Sequence, residues 1–201
     1  MFVQVFQGQV SDPAAAHAAL DKWAQELAPG ATGWLGSTCG VTDDGTLIGL
    51  ARFDSEESAR RNSDRPEQDA WWAETSKLLT GEGTFHDSTD VMTMRQGGSD
   101  DAGFVQIIQG TAVDPERLRV LGKQFEDSYP DFRPDLLGSV IAVHDHDQFV
   151  QAAYFVSEDQ ARVNEAQDAP ADAQPMLEEQ MSLIKDPTFL DLRDPWLYSP
   201  R

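Results

Sequence analysis

Residues 2–9, FVQVFQGQ, are a run of β-branched and aromatic positions broken only by glutamine and glycine, a pattern that predicts a buried strand. Asp12-Pro13 follows, an N-cap residue with proline at the first helical position. Ala16, Leu20, Trp23, Ala24 and Leu27 then fall on one stripe of the helix that it starts. Two further strands are predicted, Trp34 to Thr42 and Thr46 to Asp54, joined by Asp43-Asp44-Gly45, where glycine tolerates a turn's positive φ. Ser55 caps a second helix, which breaks at Pro66 and resumes through Trp71-Trp72 to Leu79. A last strand runs from about Thr84 to Met94, so the order is β-α-β-β-α-β.

The same order occurs twice. FVQVFQGQVSDP at 2–13 returns as FVQIIQGTAVDP at 104–115, 102 positions on, with seven identities. At the same offset Leu35-Gly36-Ser37 returns as Leu137-Gly138-Ser139. Phe53-x-Ser55-Glu56-x-x-Ala59-Arg60-x-Asn62 returns as Phe155-x-Ser157-Glu158-x-x-Ala161-Arg162-x-Asn164. After a two-residue shift, Thr84-Phe85-x-Asp87-x-x-Asp90 returns as Thr188-Phe189-x-Asp191-x-x-Asp194. The expected organisation is a repeat over 1–95, a Gly/Ser/Asp linker over 96–103 and a second repeat over 104–201.

This is the ferredoxin-like α+β order: a four-stranded antiparallel sheet with helices on one face. The other face of each sheet is apolar and needs cover. Two copies in one chain can supply it by packing sheet to sheet, an internal version of a symmetric dimer. A monomer with pseudo-twofold symmetry is therefore expected.

Charge narrows the partners. The chain of 201 residues carries 15 Lys plus Arg against 35 Asp plus Glu, a formal charge of -20 that disfavours nucleic acid and anionic membrane surfaces. Cys39 is the one cysteine, so no intrachain disulfide or Cys-rich metal site can form. The first residues have neither a basic stretch nor an apolar leader core, and the expectation is a cytoplasmic protein.

The repeated order, the unit of about a hundred residues and motifs such as the strand-one run and Phe-x-Ser-x-x-x-Ala resemble the dimeric α+β barrel superfamily. That group includes antibiotic-biosynthesis-monooxygenase-like proteins, haem-degrading monooxygenases and stress-responsive barrel proteins; tandem actinobacterial members look similar. The resemblance implies a pocket between helices and sheet in each lobe, sometimes used for oxygen-dependent chemistry on an aromatic or tetrapyrrole substrate without metal or flavin. No cofactor or metal is thus expected here. The haem-degrading branch has an Asn on its first strand, a Trp, and a His about ten residues further on. This chain offers Gln4 and Gln7, Trp71 or Trp72, and His86 fourteen or fifteen residues beyond, and the second repeat lacks the Trp and His.

The site candidates are weighed against structural roles. Trp71 and Trp72 can stack a planar substrate, yet neighbours on a helix point about 100° apart, so at most one is expected to face a cavity. Core packing is the favoured role for both. Asn62 and Asn164 suit either a polar pocket contact or a bond at the helix break. Gln4 is a buried amide that orients a ligand or bonds backbone, and Arg52 and Tyr154 offer a cation and a phenol at one third-strand position. His86 is a candidate base. His144-Asp145-His146-Asp147 has metal-type donors but sits at a turn.

Three functions follow: a small-molecule enzyme resembling the cofactor-independent monooxygenases, with His86 and Asn62 as catalytic residues; a non-catalytic ligand-binding or stress-associated barrel protein; or an acidic protein-interaction module.

Overall fold

A computed structural model describes residues 1–200. Strand β1 (Phe2–Gln9) leads into α1 (Pro13–Glu26), whose first turn is closed by the Asp12 carboxylate accepting from the Ala15 N–H at 3.0 Å. The β2 (Trp34–Val41) and β3 (Thr46–Phe53) hairpin follows, with Gly45 at φ +85° in its turn. Next come α2 (Glu56–Ser63), capped by the Ser55 hydroxyl, then α3 (Pro66–Thr75) and β4 (Thr84–Ser88). Pro66 opens α3, where its missing N–H removes no intrahelical bond.

The chain turns at Ser88, whose hydroxyl bonds both the N–H and the C=O of Asp90, and enters β5 (Asp90–Arg95). The second repeat supplies β6 (Phe104–Ala112), α4 (Pro115–Ser128), β7 (Leu136–His144), β8 (Gln148–Phe155), α5 (Glu158–Glu165), α6 (Gln174–Ser182), β9 (Ile184–Leu192) and β10 (Trp196–Tyr198).

Two five-stranded antiparallel sheets result, ordered β10-β2-β3-β1-β4 and β5-β7-β8-β6-β9. Four strands of each have the expected ferredoxin-like arrangement. The fifth corrects the expectation. The stretch predicted as one strand from Thr84 to Met94 is two strands, and the second, β5, joins the sheet of the second repeat. In return β10 pairs with β2, Trp196 opposite Cys39 and Tyr198 opposite Ser37. The compact units are accordingly Met1–Asp90 with Asp194–Arg201, and Val91–Arg193.

The retained glycines explain how the added strands fit. Both β2 and β7 carry a bulge at the same repeat position, Trp34/Gly36 and Leu136/Gly138. A Cβ on Gly36 would lie 2.7 Å from the Tyr198 carbonyl oxygen of β10, and Gly36 sits at φ +134°. A Cβ on Gly138 would strike the carbonyl oxygen of Gly97, just past β5. The Leu-Gly-Ser motif is thus a landing site for an incoming backbone.

Helices cover one face of each sheet. In the first unit Phe2, Trp23, Leu27, Trp34, Phe53 and Ala59 form one buried cluster, and Val10, Ala16, Leu20, Cys39, Leu47 and Trp196 a second. Trp34 donates its indole N–H to Ser37 at 3.0 Å. The second unit has Leu136 at the residue matching Trp34, and the buried Ser139 hydroxyl has no partner there. Its core packs Phe104, Ala153, Phe155 and Ala161, with the Arg133 guanidinium 5.1 Å from the Phe155 ring centroid and that of Arg162 5.3 Å from that of Phe104. No helix among the described residues is long and apolar enough to cross a membrane.

Candidate functional site

The first unit contains a cavity of about 230 Å³ between its sheet and α1, α2 and α3. Alternation along each strand selects the lining: Gln4 and Phe6 from β1, Ser37 and Cys39 from β2, Ala51 and Phe53 from β3, Phe85 from β4 and Tyr198 from β10. The helices add Leu20, Trp23, Asn62, Gln68, Asp69, Trp71 and Trp72. Seven of these are aromatic, which gives the cavity large π faces.

Both tryptophans of the 71–72 pair line it, correcting the expectation that at most one would. They do so together with Gln68 and Asp69 of the same helix, so α3 borders the cavity over more than one turn. Trp71 reaches across to α1, donating its indole N–H to the Ala19 carbonyl at 3.0 Å. Trp72 stands edge-on to Phe85, centroids 5.2 Å apart, and to Phe6 at 6.2 Å. Trp23 completes the aromatic wall and is fixed by its N–H donating to Gln68 Oε1 at 2.6 Å.

Asn62 is the polar feature of this wall. It is 6% exposed and lies on α2. Its Oδ1 accepts from Arg65 at 2.9 Å, and the same arginine nitrogen donates to the Leu27 carbonyl at 3.0 Å. The Asn62 Nδ2 is left to donate to whatever occupies the cavity. The matching Asn164 is different: its Nδ2 donates to the Gln160 carbonyl of its own helix and its Oδ1 accepts from Gln167. Gln4 also lines the cavity, with its Nε2 donating to Asp87 at 3.0 Å.

His86, Arg52 and Tyr154 lie elsewhere. Phe85 faces the cavity, so the adjacent His86 points to the opposite face of the sheet. Arg52, between the lining residues Ala51 and Phe53, does the same and is 7% exposed. Tyr154 is fully buried in β8 of the second unit. The structure therefore brings Asn62, Trp71, Trp72 and Gln4 together and leaves the other four candidates outside this cavity. The His144–Asp147 string forms the turn before β8, with His146 and Asp147 at positive φ.

Tyr198 is a lining residue that the sequence reading missed. Its hydroxyl donates to Asp21 on α1 at 2.9 Å, and burial followed by that bond raises its pKa well above the ordinary phenol value. Burial pushes the Cys39 thiol up to about 12, with the Arg52 charge pulling weakly the other way, so it is a neutral wall group and no nucleophile. Among the described residues Asp69 is the single carboxylate in the lining, which includes no histidine.

The chain path recurs in solved structures. A protein named "putative monooxygenase" from Lactobacillus acidophilus NCFM aligns over 98% of this chain and 95% of its own, with a TM-score of 0.76 at 12% identity. The chain shares the fold of solved proteins named as putative monooxygenases. A second protein of the same name from Fusobacterium nucleatum gives 0.75 at 10% identity over 98% and 94% of the two chains. An anthrone oxidase-like protein gives 0.62 at 10% identity over 98% and 93%. No protein-family model and no curated protein matches the sequence. Identities this low carry the fold and leave the chemistry to the site.

Proposed function

We propose that the first unit binds a planar aromatic small molecule bearing a ring oxygen, and acts on it as a monooxygenase-like enzyme. The observation that carries this reading is Asn62, held by its oxygen in a wall of aromatic rings with its amide donor left for a ligand. Trp23, Trp72 and Phe85 would sandwich the rings. The Asn62 Nδ2 would donate to a ring phenol or ketone oxygen, stabilising the negative charge that gathers there when a ring carbon conjugated with that oxygen loses a proton. Asp69 is the lining carboxylate able to take that proton.

The reaction that these groups assist is oxidation of an activated ring methylene by dioxygen. The carbon loses two hydrogens and gains one oxygen atom as a ketone, and the second oxygen atom leaves as water. An anthrone is a substrate of this class, and one structural neighbour is named for anthrone oxidation.

The test has two parts. Tryptophan-fluorescence titration with 1-naphthol should saturate, and Trp72→Ala should weaken it about tenfold, the scale of a well-packed aromatic contact. Dioxygen uptake with anthrone should then exceed the spontaneous rate and fall in Asn62→Leu. Saturable binding with no uptake would leave the first unit as a ligand-binding protein, the second reading, which the absence of histidine from the lining favours. Absence of binding would refute both.

A further inference from the structure

The hollows of the two repeats adjoin rather than coincide: Leu20, Cys39 and Tyr198 of the first cavity match Gly122, Ile141 and Met94 of the second, and the remaining lining residues differ in position. In the first unit the space between the start of α1 and the sheet is filled by the cluster of Val10, Ala16, Leu20, Cys39, Leu47 and Trp196. The matching place in the second unit is a cavity of about 80 Å³, lined by Met92, Met94, Leu118, Gly122, Ile141 and Phe149 among others.

Three replacements empty it, the first being Ala112 where the first repeat has Val10. Gly122 stands where Leu20 stands in the first repeat, 102 positions on, and Met92 stands where Trp196 stands after the two-residue shift. Gly122 lies inside α4, where glycine is about 1 kcal/mol worse than alanine. A Cβ built on it meets open space, so neither packing nor backbone conformation demands the glycine. The one thing it does is leave room.

We propose that this cavity is a second ligand site, for the saturated chain of a short aliphatic carboxylate whose head group meets Arg119 at the rim. Its walls favour a flexible chain: Phe149 is the single aromatic ring among the described lining residues, and the two unbranched methionines adapt to a chain as it settles. Arg119 lines the cavity and pairs with Glu116 at 3.1 Å, where the two side chains are 30% and 77% exposed. An ion pair with so exposed a carboxylate is weak, so a ligand carboxylate can join the groups that Arg119 already meets. The contrast with the first cavity, seven rings against one, separates the two ligand classes.

Calorimetric titration of the whole chain with hexanoate, and with hexanol as the uncharged control, tests this. Hexanoate should bind saturably. Gly122→Leu, which restores the residue of the first repeat, should weaken it at least about tenfold, whereas Trp72→Ala should leave it within about twofold. Arg119→Gln should weaken hexanoate about tenfold and spare hexanol. Gly122→Ala guards against misfolding, since alanine favours the helix and should still reduce affinity. No saturable binding, binding unaltered in both Gly122 variants, or binding lost in Trp72→Ala would each overturn the proposal.

Discussion

Arg65 holds Asn62 by its oxygen, at 2.9 Å, and this one bond decides which way a buried amide faces. Replacing Asn62 by Leu removes the donor and keeps the volume. Affinity for 1-naphthol should fall about tenfold, the worth of one hydrogen bond, while naphthalene should bind as before. Equal losses for both ligands would show that Asn62 shapes the wall without bonding the ligand.

Gly36 should tolerate no side chain. A Cβ there lies 2.7 Å from the Tyr198 carbonyl at a φ that L residues avoid. Gly36→Ala should cost about 1–3 kcal/mol in urea denaturation, and limited proteolysis should cut the chain near residue 194 sooner than in the wild type as β10 loosens.

Asp135 is 1% exposed and is bonded through both oxygens by Arg133, at 3.0 and 2.7 Å. Arg133→Met strands a buried carboxylate and should destabilise the protein by about 3 kcal/mol in urea. The double variant with Asp135→Leu should recover most of that loss, because the desolvated charge is gone.

Cys39 gives an alkaline signature. Its thiol titrates at about 12 in the fold against an ordinary 9.0, so the folded state keeps a proton that the unfolded state releases between those values. The thiol's contribution is therefore complete below pH 9 and is lost as pH rises toward 12. Between pH 9 and pH 10 the urea midpoint of the wild type should fall faster than that of Cys39→Ala. The raised pKa of Tyr198 acts in the same direction at higher pH.

The elements were legible because their signals are local. Asp12-Pro13 and Asp114-Pro115 each start a helix, Ser55 and Ser157 each cap one, and both hairpins fall where the punctuation puts them. Part of the site was less legible: alternation along β1 puts Gln4 on one face with Phe6, whereas the helical period led to the expectation that at most one of Trp71 and Trp72 would border a cavity that both line. His86 was not legible, because its cavity role depended on which face of β4 it took, and Phe85 holds the inner one.

From its sequence alone the chain shows two βαββαβ repeats, since apolar period, caps and turn residues are set within a few residues of one another. Tertiary structure alone decided where β5 and β10 go, for a short strand satisfies its backbone on any open edge, and the choice rests on Gly36 and Gly138 meeting backbone far along the chain. It also decided where each repeat is hollow. That depends on volumes summed over distant positions, Leu20 with Trp196 in one unit and Gly122 with Met92 in the other, a sum that close packing enforces and no local pattern records.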